Sequence, residues 1–191
     1  MIRLFVRIVL TVLLLVLLAA VFVIRSCHKS ETTHYTMDEI EELFRERHDE
    51  FAAVAELFLE NEKIDELMSA SSDRVLFIYG DDLEHSLDEE SVKGCLSEED
   101  RESIRTLFKE TGMLRLEYNA RTKPEYVRFT FGDGREHINL YCLSSEDGAE
   151  AFFHNTERYS KEFYQIEEHW YIQYFTAEHF LNVIKEEASR K

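Results

Sequence analysis

The chain has 191 residues, in which 22 Lys and Arg stand against 39 Asp and Glu, for a formal net charge of −17. The first 29 residues contain four of the basic residues and no acidic residue, so the remainder carries 18 basic residues and a formal charge of −21. Such a field repels phosphate backbones and anionic lipid headgroups, which excludes nucleic acid as an expected partner and favours a basic protein partner or simple solubility.

An apolar segment opens the chain. Leu4 to Ile24 is interrupted by one charge, Arg7, and as a helix would be about 30 Å long, close to the thickness of a bilayer core. A cleaved secretory signal has a shorter apolar stretch, of about 7 to 15 residues. A lipoprotein signal has small residues immediately before its cysteine, but here Arg25 lies two residues before Cys27. We therefore predict a permanent single-pass transmembrane anchor over residues 1–29, with a short cytoplasmic tail.

The orientation of the anchor is not decided by charge, because Arg3 and Arg7 precede the uncharged stretch Ile8 to Ile24, and Arg25 and Lys29 follow it. A short basic tail before a long apolar stretch is typical of a signal-anchor, which leaves the N-terminus in the cytoplasm. This favours an extracytoplasmic domain at the cell membrane, with the opposite orientation as the alternative. Residues 30–35 form a short linker, so the domain over residues 36–191 is expected close to the bilayer.

Helical patterns follow the linker. Thr36 and Glu39 form a predicted capping box, and an apolar stripe continues to Phe58 at helical spacing. The next apolar residues point away from that stripe, which predicts a bend, a break near Asn61 or a broad core. After a buried strand at Arg74 to Gly80 and an acidic stretch, Ser97 begins a second clear helix.

The residue pattern in the second half of the domain predicts mainly strands. Three segments between Met113 and Cys142 alternate apolar and polar residues and predict an antiparallel meander. Residues 144–159 are interpreted as a loop with a helical turn. KEFYQI and HWYIQYF then predict a hairpin, and a last helix begins at Thr176. The fold class is α+β: an N-terminal transmembrane helix, then a mostly antiparallel sheet of about five or six strands with helices packed on one face.

Local motifs for chemistry are absent from the sequence. The chain contains no GxGxxG, GxxxxGK[ST], HExxH, CxxC or GxSxG pattern, and Gly80 to Glu90 lacks the ligand spacing of a calcium loop. We therefore assign no catalytic, cofactor-binding or metal-binding residue. Cys95 and Cys142 are either free thiols or a disulfide, and Cys27 is an inert or modified thiol at the membrane edge.

Two surfaces are candidates for binding. The polar alternation of the meander places Arg128, Thr130, His137, Asn139 and Tyr141 on one face. This face is either a shallow binding site or an ordinary sheet face that is exposed or covered by a helix. The aromatic hairpin carries more rings than one inward face needs, so either both of its faces are covered or it offers an exposed interaction surface. The hairpin residues assigned to that interaction surface are Trp170, Tyr171, Gln173 and Tyr174.

Two functions follow as expectations. The first is a membrane-anchored extracytoplasmic interaction domain that binds a protein, expected to be basic, or an envelope component near the membrane. The alternative is a hydrolase or metal-dependent enzyme that uses histidines and carboxylates assembled by the fold, such as those of Glu167 to His169. The sequence does not indicate an oligomeric state.

Overall fold

A computed structural model describes residues 35–132, 135–145 and 147–189. The predicted anchor over residues 1–29 lies outside these residues, as does nearly all of the linker. Within the part of the chain that is described, no helix is long and apolar enough to cross a membrane. The elements are α1 (Met37–Glu46), α2 (His48–Leu59), α3 (Glu62–Ala70), β1 (Val75–Tyr79), α4 (Leu83–Asp88), α5 (Glu90–Lys93), α6 (Glu98–Thr111), β2 (Arg115–Asn119), β3 (Tyr126–Gly132), β4 (Glu136–Leu143), α7 (Ala149–Arg158), β5 (Glu162–Glu167), β6 (Trp170–Thr176) and α8 (Ala177–Ser189).

The six strands form one sheet in the order β1-β2-β3-β4-β6-β5, and every neighbouring pair is antiparallel. This confirms the predicted α+β class and the antiparallel meander. Leu116 lies opposite Phe129, Phe129 opposite Leu140, and Leu140 opposite Ile172. Because side chains alternate along a strand, this row of apolar residues shares one face of the sheet, which we call the core face.

Helices α1 to α6 contribute their apolar side chains to the core face. The ring of Phe51 on α2 contacts Phe129 edge to face at 5.1 Å, and Phe44 on α1 lies 4.8 Å from Trp170 between ring centres. The predicted capping box of Thr36 is present at α1. Of the three alternatives for the chain after Phe58, the break near Asn61 is the one observed, since α2 ends at Leu59 and the Asn61 side chain accepts from the backbone amides of Lys63 and Ile64.

Two parts of the fold prediction are wrong. The strand β1 was expected to be buried, but it lies at the edge of the sheet, with Phe77 39% and Tyr79 42% exposed. All helices were expected on one face of the sheet, but α7 packs against the opposite face, within the segment that was interpreted as a loop. Phe152 of α7 lies against the rings of Tyr126 and Tyr141, at 5.5 and 5.4 Å, in a second apolar cluster. The physical reason is tertiary: rings from four strands form the apolar surface on which Phe152 of this helix packs.

Candidate functional site

The face opposite the core face carries polar residues on the central strands, and we call it the polar face. Two rows cross it: Arg115, Thr130, Asn139 and Gln173 lie opposite one another in turn, as do Glu117, Arg128, Tyr141 and Tyr171. Helix α7 covers only part of this face. Between the polar face, α7 and α8 lies a cavity of about 600 Å³, which we call the polar-face cavity. Its lining includes Arg115, Lys123, Tyr126, Arg128, His137, Asn139, Tyr141, Phe152, Asn155, Thr156, Tyr159, Gln173, Phe175 and Phe180.

The floor of the cavity is a chain of hydrogen bonds between buried side chains. Thr130 Oγ1 donates to Asn139 Oδ1 at 2.9 Å, and Asn139 Nδ2 donates to Gln173 Oε1 at 2.7 Å. The hydroxyl of Tyr141 donates to the same Gln173 oxygen at 2.8 Å, and Gln173 Nε2 donates to Ser160 Oγ at 2.7 Å. Because each group fixes the next, the floor holds a defined set of orientations.

A buried ion pair lies beside this network. The guanidinium of Arg128 donates to the carboxylate of Glu117, which also accepts from the hydroxyl of Tyr126 at 3.0 Å. Glu117 is 3% exposed, whereas Arg128 reaches the cavity and lies over the Tyr141 ring, 5.8 Å from its centre. Burial opposes the charge of Arg128, but the contacts with Tyr141 and Glu117 outweigh it and raise the pKa above its usual value.

The cavity is basic within an acidic domain. Arg115, Lys123 and Arg128 line it, and no carboxylate does so among the described residues. Lys123 pairs with Glu125 at 3.2 Å at the exposed rim, and Arg128 pairs with Glu117 behind the floor. Arg115 has no carboxylate partner in the described part of the chain, and its buried Nε has no hydrogen-bond acceptor there. The cavity is therefore a local positive region.

The hairpin residues predicted as an interaction surface are mostly covered. Trp170 is 5% exposed under α1, Tyr171 is 4% exposed beneath α7, and Gln173 is 5% exposed in the cavity floor. Tyr174 is half-buried, and its hydroxyl donates to Glu136 at 3.2 Å. Of the two alternatives for the hairpin, coverage of both faces is the one observed, and of the four residues Gln173 is the one that lines the polar-face cavity.

The polar alternation of the meander did bring its residues together: Arg128, His137, Asn139 and Tyr141 line the cavity, and Thr130 lies beneath it. Sequence reasoning missed the other half of the site. The side chains that α7 contributes to the cavity wall were not predicted, because the segment of α7 was interpreted as a loop. Arg115 had a usable signal, because it alternates with Leu116 in the same strand and so belongs to the polar face.

The histidines and thiols do not form a second centre in the described residues. His169 Nε2 lies 3.9 Å from Glu168, and His48 Nε2 lies 3.3 Å from Glu167. No group of three or more His, Cys, Asp or Glu is arranged to hold a metal ion in residues 35–132, 135–145 and 147–189. Cys95 and Cys142 are free thiols, and burial raises the pKa of Cys142 to about 12.

Comparisons of the chain with protein-family models, with curated proteins and with solved structures found no match. The function is therefore inferred from the geometry of the polar-face cavity. That geometry offers hydrogen-bonding groups on a rigid floor, cations at the floor and rim, and aromatic rings along the walls. Such an arrangement is suited to binding a small ligand or one chemical group of a larger one.

Proposed function

We propose that the protein is a membrane-anchored, extracytoplasmic binding domain that takes its ligand in the polar-face cavity. The single observation that carries the proposal is a polar floor inside a cavity of about 600 Å³. Pockets for small ligands typically measure about 300 to 1,000 Å³ and combine apolar walls with a few fixed polar groups. The polar-face cavity has that size and that composition.

The energetics of the floor support a binding role. Asn139, Tyr141 and Gln173 are each at most 5% exposed, and their polar groups had to lose water on folding. An apolar floor avoids this loss of hydration, and a buried polar network stabilises a fold only when its members are satisfied. A network that fixes polar groups at the base of a cavity is consistent with selection for a ligand rather than for stability alone.

Binding is favoured over the alternative, a hydrolase or metal-dependent enzyme. Two phenols in the cavity are poor proton donors and acceptors near neutral pH. Burial and then Glu117 raise the pKa of Tyr126, while burial raises that of Tyr141 against the opposing charge of Arg128. No described observation specifically supports a catalytic group, so the enzymatic alternative stays a prediction.

The proposed site can be tested by photo-crosslinking in intact cells. A benzophenone side chain replaces Asn155, at the exposed edge of the cavity on α7, in the full chain. The control places the same side chain at Glu66, an exposed position of α3. We expect a specific adduct from position 155 and none from position 66. Equal labelling from the two positions, or no adduct from position 155, contradicts the proposed site.

The proposed orientation needs a separate test. Ser69 is exposed on α3, so Ser69→Cys provides an accessible thiol in the domain. We expect a membrane-impermeant maleimide to label this variant in intact cells, above the background of the unmodified chain. Labelling that requires permeabilised cells would reverse the orientation without removing the binding site.

A further inference from the structure

The charges around the polar-face cavity point to a class of ligand, an inference that rests on the proposed function. We propose that the cavity binds a small organic anion, with a carboxylate held by Arg115 and Arg128 and an apolar or aromatic body against the surrounding rings. Planar guanidinium groups present paired donors that match the two oxygens of a carboxylate.

The first support is the charge balance. Three basic side chains line the cavity without a carboxylate among its described lining, and only Arg128 has a buried counter-charge, Glu117. Arg115 is half-buried and has no ion-pair partner within the described residues, and its Nε is removed from water without an acceptor. A buried donor without an acceptor destabilises the folded chain, so an incoming carboxylate would supply what Arg115 lacks.

The second support is the position of Arg115 relative to the floor. Arg115 lies directly opposite Thr130 in the sheet, in the row that continues through Asn139 and Gln173. Burial raises the pKa of the Tyr141 phenol, and the charges of Arg128 and Arg115 both oppose that rise. Both arginines thus bring positive charge to this side of the sheet: Arg128 donates to the Tyr141 hydroxyl at 3.4 Å, and the Arg115 guanidinium lies 5.6 Å from the centre of the Phe77 ring.

The third support is the ring of apolar groups around that point. Phe180 is 37% exposed at the rim and lies 5.6 Å from Tyr159 and 5.8 Å from Phe175, between ring centres. Phe152 forms part of the wall on the side of α7. These half-exposed rings would lose contact with water against an apolar body, which favours an organic anion over an inorganic one.

The acidic surface of the domain does not prevent anion binding. Ionic screening confines the field of exposed charges to about 8 to 10 Å at physiological salt, while charges in a partly buried cavity are screened less. The surface carboxylates are thus expected to slow the approach of an anion more than they weaken its hold in the cavity.

Fluorine NMR of the full chain in mild detergent provides the test. The probe is para-fluorophenylacetate, and its uncharged counterpart is para-fluorophenylacetamide. We expect the carboxylate to bind at least about tenfold more tightly than the amide, the ratio that one charge-assisted hydrogen bond provides. Arg115→Gln should weaken carboxylate binding by about tenfold, by the same reasoning.

The control variant is Arg121→Gln, which removes an equal charge from an exposed loop position outside the cavity and should leave binding unchanged. If Arg115→Gln fails to fold, Lys123→Gln at the exposed rim should weaken carboxylate binding in the same direction. Equal binding of the two probes, or equal effects of Arg115→Gln and Arg121→Gln, overturns the anion assignment but leaves the crosslink at position 155 intact. Absence of binding by both probes at millimolar concentration also overturns it.

Discussion

The buried ion pair of Glu117 and Arg128 should dominate the stability of the cavity floor. Glu117 is 3% exposed, and its two oxygens accept from Arg128 and from the Tyr126 hydroxyl. Glu117→Gln keeps the shape of the side chain and an acceptor for Tyr126, but removes the counter-charge of Arg128. The substitution therefore isolates the effect of leaving a largely buried guanidinium without a carboxylate.

The loss of stability expected for Glu117→Gln follows from the burial of the ion pair. Breaking a buried ion pair by removing one partner costs about 3 to 5 kcal/mol in the free energy of unfolding. The Arg128 side chain keeps 21% of its exposure and can recover some hydration, so the lower end of that range applies. A loss of about 3 kcal/mol in a domain of this size corresponds to a fall in Tm of about 6 to 12 °C.

Urea unfolding of the full chain, followed by tryptophan fluorescence, measures this loss. Trp170 is the single tryptophan of the chain and is 5% exposed in the core, so its emission reports on the folded domain alone. Glu98→Gln is the matched control, because Glu98 is 70% exposed and its partners Arg101 and Arg105 keep ion pairs with Asp88 and Glu84. Exposed pairs contribute about 0 to 1 kcal/mol, so the control should change little.

A double variant completes the test. Because Glu117→Gln with Arg128→Met removes both charges, its cost should be smaller than the sum of the two single costs. If Glu117→Gln is no more destabilising than Glu98→Gln, or if the two single effects simply add, the reasoning about the buried pair is refuted.

Three further predictions concern stability and reactivity. Burial and the Glu125 carboxylate raise the pKa of Tyr118, so the folded chain holds a proton that unfolded tyrosine loses near pH 10. The free energy of unfolding should therefore keep its full value below about pH 10 and fall as the pH rises above it, and it should fall less steeply in Tyr118→Phe. Urea midpoints that fall equally with pH in the two chains would contradict this. Cys142, whose pKa is raised to about 12, should react with an aromatic disulfide reagent near neutral pH only after unfolding, and rapid reaction of the native thiol would count against its burial. Ser97→Ala removes the cap of α6 and should cost about 1 kcal/mol by urea unfolding, whereas Ser103→Ala on an exposed turn of that helix should cost less; the reverse order would be inconsistent with the cap.

The strands were predictable because their signal is local. Leu116 and Tyr118 alternate with polar residues in β2, as do Val127 and Phe129 in β3, and each of these four apolar residues is fully buried. A period of two in the sequence fixes which side chains share a face, and the register of the meander follows from that pattern. Helix starts with a capping box were predictable for the same reason.

Helix α7 and the cavity beside it were not predictable from local pattern. Phe152 packs against the rings of Tyr126, Tyr141, Phe163 and Tyr171, which come from four strands. These partners are distant in the chain, so residues 144–159 taken alone do not show what the helix packs against. The burial of the aromatic hairpin was not predictable for the same reason. Trp170 is covered by α1 and Tyr171 by α7, and both contacts join elements that are distant in the chain.

Native mass spectrometry of the full chain, extracted from its own cells in mild detergent, tests the central claim most directly. Thr156→Trp adds bulk to a half-buried position that lines the polar-face cavity, and Thr106→Trp adds the same bulk to a half-buried position of α6 away from it. If the cavity holds a ligand, the unmodified chain and Thr106→Trp carry a bound small molecule, and Thr156→Trp loses it. An unmodified chain without a bound molecule, or a Thr156→Trp variant that retains it, contradicts a ligand-binding role for the polar-face cavity.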